Sequence, residues 1–86
     1  MNMKIENSLD WHEVHSNIRL QIQQLGYNPD LQRLLNNITN MVTELSKLEV
    51  TFRRTHKHSF LDETVSEINK AIDHLEKLIL MAKLMK

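Results

Sequence analysis

The chain has 86 residues, 41% of them hydrophobic, with eleven basic side chains balancing eleven acidic ones. A chain of that length is expected to form one domain, residues 1–86, with a core that is marginal alone; zero formal charge excludes a global pull towards nucleic acid or an anionic membrane. The lack of Cys excludes disulfides, thiolate metal ligands and cysteine nucleophiles together.

Along the chain, Met1 to Asn7 shows no apolar core of a secretory signal, and no stretch approaches the roughly 18 apolar residues of a spanning helix, so a cytoplasmic protein is expected. One Gly and one Pro in the whole chain point to an all-α fold, because both residues interrupt helices and abound in turn-rich β proteins. Helix 1 is predicted over 9–25. Asp10 is its expected cap, with Glu13 reaching back and Ser8 as an alternative start. Its apolar face reads Trp11, Val14, Ile18 and Leu25, with Gln21 as the polar lapse.

The segment Leu25-Gly26-Tyr27-Asn28-Pro29-Asp30 then places a Gly where a helix ends in the left-handed conformation, an Asn as cap and a Pro at the first position of the next helix. Helix 2 is predicted over 29–55, with Leu31, Leu34, Ile38, Met41, Leu45, Leu48 and Phe52 at alternating spacings of three and four. A break falls at His56-Lys57-His58-Ser59, where Ser59 and Asp62 repeat the capping logic. Helix 3 is predicted over 60–85, with a face of Leu61, Val65, Ile68, Ile72, Leu75, Ile79 and Ala82.

Helices 2 and 3 have similar lengths and a short polar connection, which predicts a three-helix protein built on a long antiparallel hairpin with coiled-coil-like seams and a shorter N-terminal helix. The seams are wider than a two-helix contact requires. Leu35 and Val42 widen helix 2, while Leu78, Leu80, Met81, Leu84 and Met85 widen helix 3 almost all round. Helix 1, about 25 Å long against roughly 38 Å for each long helix at 1.5 Å per residue, leaves the Leu78 to Met85 end of the hairpin uncovered. An oligomer or an obligate protein partner is therefore expected, with an interface drawn from Leu31, Leu34, Ile38, Met41, Leu45, Leu48, Phe52, Ile72, Leu75, Leu78, Ile79, Met81, Leu84 and Met85.

Other chemistries find less footing. His12-Glu13-Val14-His15 resembles the zinc-protease helix, but H-E-x-x-H needs the second His one residue later; with no third ligand in view, solvated histidines are the preferred reading and no metal or cofactor is expected. Residues 31–58 carry five basic against two acidic side chains, and Arg53, Arg54 and Lys57 are candidate nucleic-acid contacts. The competing reading, that cations complement the C-terminal dipole of helix 2 and solubilise the tip, is preferred because no helix-turn-helix or stacking platform accompanies them. The run from Leu75 to Lys86 could lie on a membrane, though packing accounts for it better. Glu49 is read as a solvated residue beside the helix 2 seam.

No convergent acid–base groups are visible, and the chain is expected not to be an enzyme. His74 invites comparison with histidine phosphotransfer domains but lacks their small residue after the His. Arg19 lacks the surrounding anion-binding pattern of helical chorismate mutases. Tyr27-Asn28-Pro29-Asp30 resembles the Pro-containing turn of type III secretion needle subunits, helical hairpins of similar length; the likeness covers four residues and implies, as a minor alternative, a secretion or structural-assembly subunit. The leading expectation is a non-catalytic protein–protein interaction module, a small adaptor, regulator or inhibitor, that self-associates through helices 2 and 3.

Overall fold

The computed structural model describes residues 4–55 and 58–85, with side chains described for residues 4–51 and 61–85. A 3-10 turn, Ser8–Asp10, leads into α1 (Trp11–Leu25), α2 (Pro29–Thr55) and α3 (His58–Leu84). The described residues contain no strand, and the chain is all-α. Helix α3 begins two residues earlier than the sequence predicts and takes Ser59 into its first turn; the expected Ser59 cap falls on a side chain outside the described residues, as do His56 and Lys57.

The entry into α1 is built differently from the expectation. Asn7, not Asp10, does the capping: its side-chain oxygen accepts from the amides of Leu9 at 2.9 Å and Asp10 at 3.3 Å. Asn7 stands just before the 3-10 turn with an extended backbone, φ −151° and ψ 176°, which aims a short polar side chain at the unpaired amides. Asp10 already has helical angles and makes no capping bond; its carboxylate accepts instead from the Glu6 amide at 2.8 Å.

The second turn forms where the sequence predicts it. Asn28 Oδ1 accepts from the Leu31 amide at 3.2 Å, and Pro29 opens α2. Gly26 has positive φ, as expected, but with φ 91° and ψ −163° it occupies the extended mirror region and not the left-handed helical one. That region is essentially closed to side-chain-bearing residues. A methyl group at Gly26 would meet nothing within 4 Å, so the requirement comes from the backbone alone. Gly26→Ala is accordingly expected to lower the unfolding free energy by about 1–3 kcal/mol, read by urea denaturation; a loss too small to measure would show that the turn has an equally good alternative conformation.

Three polar contacts set the helix directions. Ile5 pairs with Asn69, and Lys83 Nζ donates to Gln21 Oε1 at 3.1 Å, so α1 runs parallel to α3. Ser8 meets Glu49, late in α2, so α2 runs against both. The molecule measures 49 × 18 × 17 Å, close to the roughly 40 Å of a 27-residue helix. Helix α1 lies beside the C-terminal half of α3. It covers one flank of the Leu78 to Met85 end, while Leu80, Met81, Leu84 and Met85 stay exposed, as expected.

The core is wholly apolar among the described residues, and it corrects the predicted register of two helices. In α3 the buried residues Ile68, Ile72, Leu75 and Ile79 are those predicted. In α1, Ile22 is buried and continues the face of Trp11, Val14 and Ile18, while Gln21 turns outwards to Lys83. In α2 the buried set is Leu31, Leu35, Ile38, Val42 and Leu45, whereas Leu34, Met41 and Leu48 are half-buried. The cause is α1. Leu35, Val42 and Glu49 recur every seven residues along one line of α2, and Glu49 marks that line as the side facing the N-terminal elements; covering it rotates the buried face away from Leu34, Met41 and Leu48.

Candidate interaction surface

Several residues expected at an interface between chains are instead enclosed within this one. Leu31, Ile38, Leu45, Ile72, Leu75 and Ile79 are all buried in the core of the single chain. Leu34, Met41, Leu48 and Leu78 are half-buried. Phe52, Arg53 and Arg54 belong to the last turn of α2, but their side chains, like Lys57, lie outside the described residues.

The remaining three, Met81, Leu84 and Met85, are exposed, and Leu80 joins them. Their exposures are 57% for Leu80 and Met81, 78% for Leu84 and 86% for Met85. At about 100° per residue these four span roughly 140° of the helix circumference, on the side away from buried Leu75 and Ile79. Half-buried Leu78 borders the arc and connects it to the seven-residue series Leu34, Met41 and Leu48 across the α2–α3 groove. On α3, Asn69 and Lys83 mark the flank that meets the N-terminal segment and α1; Leu78 lies on the other flank. An uncovered apolar strip thus runs along the α2–α3 hairpin and broadens at the C-terminal end of α3, where Leu80 borders a cavity shared with Gln21 of α1.

Charges sit around this strip in local pairs. Lys47 with Glu44, Lys70 with Glu67 and Lys77 with Asp73 approach to 3.3, 3.7 and 3.1 Å; all six side chains are well exposed, so each pair contributes little to stability. Glu76 is the exception among the described acids. Half-buried between α1 and α3, its carboxyl is raised above its ordinary value, first by burial and then by the neighbouring charge of Asp73. A raised carboxyl favours its protonated form in the folded chain, so this contribution to stability is present at acid pH and lost as pH rises through the raised value. Glu76→Gln is expected to raise Tm slightly at pH 7, by less than about 1 kcal/mol in stability, and to have no effect below its ordinary value of 4.5. The same gain at both pH values would contradict this assignment.

The two histidines of His12-Glu13-Val14-His15 stand in different surroundings. His12 is exposed, whereas half-buried His15 packs edge-on to Trp11, with ring centroids 5.6 Å apart. Among the described residues no three His, Cys, Asp or Glu side chains gather as a metal site, and no helix is long and apolar enough to cross a membrane.

The contacts that sequence reasoning missed are at the N-terminal segment. Asn69 Oδ1 accepts from the Ile5 amide at 2.8 Å while Asn69 Nδ2 donates to the Ile5 carbonyl at 2.9 Å, and the Ile5 side chain is buried to 1% exposure. Glu49, expected to be solvated, accepts from both the amide and the hydroxyl of Ser8. No protein-family model, curated protein or solved structure matches this chain.

Proposed function

We propose that the chain is a non-catalytic helical interaction module, a small adaptor, regulator or inhibitor of another protein, that self-associates through α2 and α3 in a coiled-coil-like contact. The observation that carries this reading is the exposed apolar arc Leu80, Met81, Leu84 and Met85, continuous with the half-buried strip of the hairpin. Contiguous apolar surface of several hundred Å² is uncommon on a monomer and is characteristic of interaction sites. A self-complementary patch used by both copies about a two-fold axis is the commonest way to cover it.

The core supports the same view from the inside. Every described buried side chain is apolar, so the interior is devoted to holding three helices together. Size-exclusion chromatography with light scattering at micromolar concentration tests the proposal. A dimer or higher assembly that dissociates on dilution is expected; a monodisperse monomer that stays folded across that range would eliminate it.

A further inference from the structure

We propose that the groove along α3 beneath residues 4–8 is a peptide-binding site, held in this chain by its own Lys4-Ile5 segment, and that it accepts an extended segment of another protein carrying a basic residue followed by an aliphatic one. The site lies towards the N-terminal part of α3, apart from the apolar arc at the C-terminal end of that helix. The resident segment displays the chemistry the groove recognises. Asn69 bonds the amide and the carbonyl of one residue together, a two-point grip on an extended backbone that is indifferent to the side chain attached. Selection comes from the side chain: Ile5 is buried to 1% exposure, which favours an aliphatic residue of similar size. Three residues on, Glu49 grips an amide and a hydroxyl of one Ser, adding a preference for Ser at that spacing.

The groove continues past Ile5. Lys4 borders a cavity of about 540 Å³ whose α3 wall carries Asp62, Val65, Ser66, Asn69, Lys70 and Asp73. Asp62, Ser66, Asn69 and Asp73 follow one another at spacings of four, three and four and so share one face of the helix. Of the two carboxylates on that face Asp73 is paired with Lys77, and Asp62 is the one that suits a cation beside the aliphatic residue, as Lys4 stands beside Ile5. Among the described residues the segment is hydrogen-bonded to the hairpin through Asn69 and Glu49, while the bonds of Asn7 and Asp10 are local. Letting go of α3 therefore leaves the capping turn of α1 intact, and segment exchange does not require the helices to separate.

The test uses the full chain and a fluorescently labelled peptide of residues 4–10. In wild type the tethered segment competes at an effective concentration in the millimolar range, so the peptide is titrated into Ile5→Ser, whose own segment is weakened, with circular dichroism to establish folding. Saturable binding is expected by anisotropy, at least tenfold weaker to wild type and at least tenfold weaker when Asn69→Ala is added to Ile5→Ser. Failure to saturate, or equal affinity with and without Asn69, overturns the proposal. Native-state hydrogen exchange on the wild-type chain decides independently of whether the variant folds: the Ile5 amide is expected to exchange faster than those of Ile72 and Leu75, by local opening, and exchange only through global unfolding overturns the proposal as well. Neither readout depends on oligomeric state, so a monomeric wild type would remove the self-association reading and leave this one standing.

Discussion

Leu75→Ala is expected to lower the unfolding free energy by about 2–5 kcal/mol, the range for deleting a fully buried leucine side chain and leaving a cavity. Leu75 has no exposed surface and lies among the buried residues of the three-helix core. At roughly 0.05–0.15 kcal/mol per residue, a chain of this size has about 4–13 kcal/mol in total, so the substitution removes a large part of it. The measurement is the urea midpoint, which should fall while the slope of the transition stays constant. Leu20→Ala, on α1 and 56% exposed, serves as the internal control and should change stability by no more than about 0.5 kcal/mol. Equal losses at the two positions would mean that the burial described for α3 is not that of the protein in solution.

On the proposed self-association, the double variant Met81→Lys with Leu84→Lys is expected to give monomers while leaving the helices intact. Both side chains are exposed in the single chain, so intrachain packing loses little. Lysines in the last turns of α3 favour the negative end of the helix dipole, which separates this test from one that merely frays the helix. Across a two-fold contact the four introduced charges would face one another after losing the apolar anchors. Central anchors of an interface contribute at least about 2 kcal/mol each, so the dissociation constant should rise by about 30-fold or more. Light scattering reads the mass and circular dichroism the helicity; a variant that remains associated with unchanged affinity would move the contact elsewhere on the surface.

What could be read from the sequence was what is written locally. Gly26, Asn28 and Pro29 punctuate the chain within four residues, and the turn they form needs no distant partner. The face of α3 was legible because only one of its candidate stripes is continuously apolar through the middle of the helix. In α2, by contrast, Leu34 and Leu35, and Met41 and Val42, are adjacent pairs of comparable hydrophobicity. Spacing cannot choose between them; the choice is made by α1 settling against the Leu35–Val42 side. The same limit accounts for Gln21 and Ile22. Asn7 and Asp10 are both good caps, and the 3-10 turn that separates them has no periodic signature.

The candidate surface was only partly legible for a related reason. A stripe of apolar residues is the same whether it is covered by its own chain or by another, so Leu31, Leu45 and Leu75 looked as available as Met81 and Leu84. The Ile5 seat was not legible at all. A lone isoleucine among polar residues has no period, and nothing about Asn69, on a helix with many polar neighbours, distinguishes a backbone clamp from a solvated amide.

The bond between Ile5 and Asn69 joins positions 64 residues apart, and this imposes an order on biosynthesis. Residue 5 is synthesised well before residue 69, and it has nowhere to dock until the helix that carries Asn69 has formed. During translation the segment around Ile5 is thus unplaced while α1 and α2 are being made, and it settles only once α3 is there to receive it.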